Sequence, residues 1–279
     1  QTGGREAVIP VSYNRSSNTK SFKRADTVPL NIDEVATMAH APFSYYTDAA
    51  ALTWQEFIEN RGESARFSII KARMEQAVQT IKERVDIDLH STGDAVSVGN
   101  SGKNIIGMKS LIPLDPTTGT VWGISRDTYS WWQSQLITAG GTLASTGIAK
   151  LALAWTTCSG TNGEDPPSLF VTTPTMWQGY HSLVSGKQQI TTTKVGDLGF
   201  RTLEFMGKPI FYDALQTANT WWVLNMNYAR MILQNSAVFD VQETTLPSHQ
   251  VLKGAWRILF GGQFGFERYD RQGHLVFTG

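Results

Sequence analysis

NRGESARFSIIKARMEQAVQTIKERVDIDL, residues Asn60 to Leu89, is the longest uninterrupted periodic segment of the chain. Phe67, Ile70, Met74, Val78, Ile81, Val85 and Leu89 follow one another at steps of three and four, which sets them on one stripe of a helix. Arg66, Lys71, Arg73, Glu75, Gln79, Lys82, Glu83 and Asp86 fall on the other face, so the helix is amphipathic. Asn60 stands three residues before Glu63 as a capping-box start, and Gly93 is a stop. Such a helix is roughly 40 Å long at about 1.5 Å per residue. On its own it reads as the long core helix of an α+β domain, or as a strut.

Working outward on the N-terminal side, Gly3 to Thr27 reads as an extended hairpin. Ala7, Ile9 and Val11 alternate with Val8, Pro10 and Ser12, Asn14 to Thr19 is a turn-rich tip, and the return limb carries Lys20, Lys23 and Arg24. It has little apolar surface of its own, and a lone hairpin is marginal in water, so it is expected to lie on something else. Pro42 places Ala36 to Tyr46 outside a central ladder position. Thr53 to Glu59 is a short helix with Thr53 and Glu56 as its capping pair.

On the C-terminal side, Thr142 to Trp155 and Thr175 to Val184, the latter opened by Pro174, read as helices around the short strand Leu169 to Val171. Lys187 to Lys194 is a polar, threonine-rich loop. Phe200 to Asp213 is a strand pair turning at Gly207 and Lys208, and Trp221 to Leu233, Trp256 to Phe266 and Leu275 to Phe277 are strand-like. Helices and strands interleave without a regular βαβ period, which makes the class α+β.

Composition narrows the chemistry. The chain has 279 residues with 24 basic and 24 acidic side chains, so no net field draws it to a polyanion. A single cysteine, Cys158, excludes an intramolecular disulfide framework, fits a reducing compartment and is expected to be a buried, inert thiol. No run of apolar residues is long enough for a membrane helix, and the N-terminus has no secretory pattern. Gln1, where Met would start a primary product, raises the expectation of a processed or truncated chain.

The five histidines, His40, His90, His181, His249 and His274, have no ligand spacing. The Gly-Lys at Gly102 and Lys103 lacks the Ser or Thr of a phosphate loop, there is no nucleophile elbow, and Glu164 with Asp165 reads as a solvated turn. No catalytic residue, metal site or cofactor is expected. An enzyme would have to assemble Arg126, Asp127 and His181 from a distance, a reading that the absence of any motif disfavours. A coreless hairpin and a long strut suit a protein whose work is contact with its own copies.

The order of several stretches resembles the tailed-bacteriophage major capsid proteins of the Hong Kong 97 capsid fold. These are Gly3-Gly4 opening the hairpin, Asn60-Arg61-Gly62 entering the helix, Val121 to Trp132, Leu169 to Thr172, Phe205 to Asp213, Trp222 to Asn225, and Gly261 to Gly273. The resemblance implies an extended hairpin loop with its return strand over residues 1–50 and a peripheral domain over 51–133 with its spine helix at 62–89. It further implies an axial α/β domain over 134–217, and C-terminal strands over 218–279 returning to the peripheral and axial sheets. The loop Ser185 to Lys194 would face the capsomer axis.

The implied function is self-assembly through hexamers and pentamers into an icosahedral shell around double-stranded DNA, bound without sequence specificity and without a membrane. Scaffolding, portal and decoration proteins are the implied further partners, and the virion, assembled in the host bacterial cytoplasm, the implied location. Candidate intersubunit contacts are Arg5, Lys20, Lys23, Arg24, Arg66, Arg73, Lys187 and Gln188. An encapsulin-like shell packaging protein is the alternative within the same fold.

Overall fold

The computed structural model describes residues 4–24, 26–27, 29–59, 62–92, 103–160, 163–185, 203–243 and 252–278. The chain separates into two compact units, Gln1–Ala7 with Ala41–Leu111 and Met231–Phe264, and Val8–His40 with Ile112–Arg230 and Gly265–Gly279.

The first unit is built on the decisive helix. Strand β3 (Ser44–Thr53), the short helix α1 (Trp54–Glu59) and the long helix α2 (Glu63–His90) follow in the chain, with α3 (Met108–Leu111) beyond. Two long strands, β11 (Ala229–Glu243) and β12 (Leu252–Phe266), join β3 in a sheet of order β11-β12-β3. The register pairs Leu259 with Thr47 and Phe260 with Tyr46 in antiparallel sense. Helix α2 lays its stripe on this sheet: Ala77 and Ile81 are buried with Tyr46, Ile105, Ile258 and Phe260, and Met74, Val78, Val85 and Leu89 pack around them. Period-3.6 placement of apolar side chains thus becomes one contiguous core.

The start of α2 differs from the expectation. Its N-cap is Gly62, with no side-chain cap; Asn60, and Gly93 read as the stop, lie outside the described residues. The cap forms one helix earlier, as read: the Thr53 N–H donates to Glu56 Oε2 at 3.0 Å and the Glu56 N–H to Thr53 Oγ1 at 3.3 Å. At the other end, Ser91 caps α2 by donating to the Asp88 carbonyl. Gly107 lies against that end so closely that a Cβ would sit 2.0 Å from the Ser91 carbonyl oxygen, which only glycine permits.

The second unit carries a small ladder of β4 (Thr120–Val121) and β5 (Ile124–Ser125) and a six-stranded mixed sheet. Its strands are β6 (Gln135–Ala139), β7 (Leu169–Thr172), β8 (Leu203–Phe205), β9 (Lys208–Tyr212), β10 (Thr220–Leu224) and β13 (Gly273–Phe277), in the order β6-β13-β10-β7-β9-β8. β13 runs parallel to β6 and β7 parallel to β9, while β10 is antiparallel to both its neighbours. All five residues of β10 are buried, which is why this central strand reads as a continuous apolar run with no alternation. Helices α4 (Leu143–Cys158) and α5 (Pro174–Ser185) bring Leu143, Leu151, Ala154, Cys158, Met176 and Tyr180 into the core beneath it. Burial pushes the Cys158 thiol up to about 12, so the inert reading of this cysteine holds.

Three further expectations are corrected. The turn between β8 and β9 falls on Met206 and Gly207, both at positive φ (51° and 73°), one residue earlier than read. The run Trp221 to Leu233 is broken: β10 ends at Leu224 and a single 3-10 turn, Met226–Tyr228, precedes β11. Buried Asn225 enforces the break, because its side chain accepts from Asn227 N–H and its own N–H donates to Gln272 Oε1. Asp165 is no solvated turn residue either; its carboxylate accepts from the Tyr228 hydroxyl at 2.7 Å.

The last pair of strands, β1 (Glu6–Ser12) and β2 (Ala36–Pro42), forms a separate two-stranded ladder. The return strand therefore lies at Ala36–Pro42 and not within Lys20 to Thr27. The described residues 13–24, 26–27 and 29–35 form one long arm between the two strands.

Candidate assembly interface

Among its described residues the arm has no apolar core, and beyond the backbone bonds of Tyr13 and Asn14 to Val35 its limbs are laced by side chains. Ser17 donates its N–H to Asp33 Oδ2 at 2.6 Å and its hydroxyl to Asp33 Oδ1 at 3.0 Å. Asn18 and Asn31 exchange two bonds, Asn18 Nδ2 donating to the Asn31 carbonyl (2.8 Å) and Asn31 N–H donating to Asn18 Oδ1 (2.6 Å). Donation from the Ser17 N–H, then from its hydroxyl, holds the Asp33 carboxyl below the usual carboxylate range. Asn and Asp side chains that bond nearby backbone make such arms without hydrophobic burial.

Among its many exposed polar side chains the arm also presents large apolar ones. Phe22 is 72% exposed, Leu30 91%, and Ile32 fully exposed. Single surface apolar residues are ordinary, but three so fully exposed on one short arm are candidates for burial against a neighbour.

The arm's root is fixed by aromatic rings. The Tyr13 ring stacks on Trp131 (centroids 4.6 Å, 14° between planes), Trp131 meets Trp132 edge-on at 5.5 Å, Trp132 meets Tyr269 at 4.5 Å, and Tyr269 meets Phe266 at 5.8 Å. The Trp132 indole N–H donates to the Val121 carbonyl at 3.0 Å. The Arg126 guanidinium, itself buried, lies 5.2 Å over the Tyr269 ring. Trp131, backed by Trp132 and Tyr269, is therefore the seat of the arm's root. Nearby, a Cβ on Gly265 would lie 2.4 Å from Trp122 Nε1, so glycine alone admits that indole.

The candidate contact residues are spread over the chain. Arg5 stands exposed just before β1, and Lys20, Lys23 and Arg24 are exposed on the arm, where Lys20 Nζ donates to the Thr27 carbonyl at 3.2 Å. Arg66 lies in the first turns of α2. Arg73 is engaged inside the first unit: its guanidinium donates to both carboxylate oxygens of Glu56 and to the Ala51 carbonyl. That contact, followed by the Thr53 N–H and hydroxyl, holds the Glu56 carboxyl down to about 2. Lys187 and Gln188, with the loop expected to face an axis, lie outside the described residues.

Arg126, Asp127 and His181 do not come together as a reactive group. Arg126 is buried beneath Tyr269, Asp127 is exposed, and the exposed His181 ring stacks on Trp177 at 5.9 Å. Sequence reasoning missed Tyr13, Leu30 and Ile32 as arm residues of consequence. Their signal was there, in apolar side chains standing within a stretch of Asn, Ser, Asp and Pro.

No family model matches the sequence, and no curated protein matches it. Solved structures do. The capsid asymmetric unit of cyanophage A-1(L) superposes with a TM-score of 0.64 at 15% identity, covering 98% of this chain and 88% of that one. The chain has a Hong Kong 97-type capsid fold. The capsid of Mycobacterium phage Bobi matches at TM-score 0.57 and 13% identity over 100% of this chain and 87% of that one. The holo-SrpI encapsulin complex of Synechococcus elongatus PCC 7942 shares the fold at TM-score 0.55 and 10% identity, with 86% and 75% covered.

Proposed function

We propose that the chain is the major capsid protein of a tailed bacteriophage, forming hexamers and pentamers that close into an icosahedral shell around double-stranded DNA. The observation that carries this reading is the arm: a coreless projection, fixed at its root by Tyr13 on Trp131, with Phe22, Leu30 and Ile32 turned to solvent. A second copy supplies the apolar surface that the single chain lacks. The likeness to phage capsid subunits over essentially the whole chain supports the same conclusion.

In this reading the unit around α2 is the peripheral domain, the region 134–217 the axial domain, and strands over 218–279 return to both sheets. Arg5, Lys20, Lys23, Arg24 and Arg66 meet neighbouring copies, as do Lys187 and Gln188 near the capsomer axis. Arg73 contributes within the subunit, tying α2 to Glu56 of α1 and to the Ala51 carbonyl of β3. Balanced charge, 24 basic against 24 acidic side chains, suits a shell that encloses DNA without gripping it. Scaffolding, portal and decoration proteins are the further partners, the virion is the location, and the host cytoplasm the place of assembly.

The encapsulin reading shares the fold, and its match covers less of both chains. Particle content separates the two. Gradient-purified particles are treated with nuclease and then extracted: protected double-stranded DNA is expected, whereas a protein cargo without DNA overturns the phage assignment.

A further inference from the structure

Helix α4 ends in a polar cavity of about 630 Å³ within the second unit, whose lining includes Arg15, Gly160, Glu164, Arg268, Asp270 and Arg271. Three guanidinium groups face two carboxylates, a surplus of one positive charge. Asp270 is already held twice by Arg268, Nε to Oδ1 at 3.1 Å and Nη2 to Oδ2 at 2.7 Å. Arg271 meets the same carboxylate as an ion pair, Nε to Oδ2 at 3.4 Å, without a hydrogen bond, although its side chain is just 11% exposed.

Arg271 is locked in place. Its guanidinium lies over Gly160, where a Cβ would fall 1.3 Å from Nη1, and Gly160 itself is at φ 75°. A plain helix-capping role would have Arg271 donate to the last carbonyls of α4. The Trp155 carbonyl is instead taken by the Ser159 N–H and hydroxyl, and Nε and Nη1 of Arg271 have no hydrogen-bond acceptor among the described residues. A guanidinium cannot shed its proton, so a largely buried one shared on a single occupied carboxylate calls for a further anion.

We infer that this cavity is an oxyanion site, taking one phosphate or carboxylate group between Arg15, Arg268 and Arg271. Planar guanidinium forks match the paired oxygens of either group. Arg15 belongs to the arm, so an occupied site also ties the arm's root to the end of α4. The group has two sources, a free oxyanion from solution or an acidic side chain of a second copy. Only the second source rests on the capsid reading; the cavity itself does not.

Inorganic phosphate is titrated calorimetrically into the full chain in unassembled form at constant ionic strength, with a thermal melt alongside. One phosphate per chain is expected, with the melting midpoint rising by several degrees at saturation. Arg15→Gln, on the exposed arm, is expected to melt as the parent does without phosphate and to bind on the order of tenfold more weakly. Arg271→Gln removes binding, and its melt without phosphate reports whether α4 stays intact. Absence of heat and of any midpoint shift in the parent chain overturns the proposal, as does unchanged affinity in Arg15→Gln. Radiolabelled phosphate then distinguishes the sources: uptake by assembled particles marks a solution oxyanion, and its exclusion from particles whose unassembled chain binds marks a neighbour's carboxylate. A chain that never assembles refutes the capsid reading and leaves the phosphate titration as it stands.

Discussion

Replacing Phe22, Leu30 and Ile32 together by serine separates assembly from folding. In the single chain these side chains are 72%, 91% and fully exposed, so the folded subunit has almost nothing to lose. On a neighbouring copy each would leave water, and complete burial of a Phe, Leu or Ile is worth ~1.5–3 kcal/mol. Three of them sum to roughly 6 kcal/mol for one arm. Ordering the arm and incomplete burial remove about half, since buried area never converts fully to affinity. Roughly 3 kcal/mol remains, about a hundredfold in the concentration at which copies associate. Light scattering against protein concentration measures that threshold, and a thermal melt of the unassembled chain measures the fold. The expected result is a threshold raised about a hundredfold with a melting midpoint within about 1 °C of the parent. A threshold within threefold of the parent refutes the role of the arm, and a midpoint lowered by several degrees refutes the claim that its apolar residues serve only contact.

Other consequences follow from named contacts. Tyr46→Phe strips a hydroxyl that donates to buried Asp88 (2.9 Å) and accepts from the Ile105 N–H (2.9 Å). Two buried polar groups lose a partner, so urea unfolding of the unassembled chain should lose roughly 2–4 kcal/mol, and a loss under about 0.5 contradicts the network. Glu56 is depressed from 4.5 to about 2 by Arg73 and Thr53, so its contribution is present above pH 4.5 and is lost as pH falls toward 2. Acid unfolding of Glu56→Gln should therefore lack that part of the slope, and identical acid limbs in parent and variant rule it out. Gly160→Ala places a Cβ on Arg271 Nη1 at a positive φ, and a denaturant midpoint equivalent to at least ~2 kcal/mol of destabilisation is expected; a neutral result shows that Arg271 moves aside freely.

Local periodicity carried much of this architecture into view. The α2 stripe, the Thr53–Glu56 cap and the helices α4 and α5 depend on spacings of three and four residues, which the chain displays openly. Contacts between distant residues are different. Asp88 sits in α2 beside the apolar stripe and reads as one more surface charge, because the Tyr46 hydroxyl that buries it lies 42 positions away. The arm's return strand was misplaced for a similar reason: Asn18, Asn31, Ser17 and Asp33 close the arm through side chains, and no alternation marks such a closure. The break at Asn225 depends on Gln272 from the far end of the chain. Likewise, the arginines of the α4 cavity come from the arm, the loop before β13 and nowhere adjacent, so no motif could announce them.

The central claim, that copies of this chain build a shell, is tested most directly by the mass and shape of the purified chain. Light scattering followed by negative-stain imaging is expected to show closed particles, or rings with six-fold and five-fold symmetry. A monodisperse monomer that persists at high concentration would contradict it.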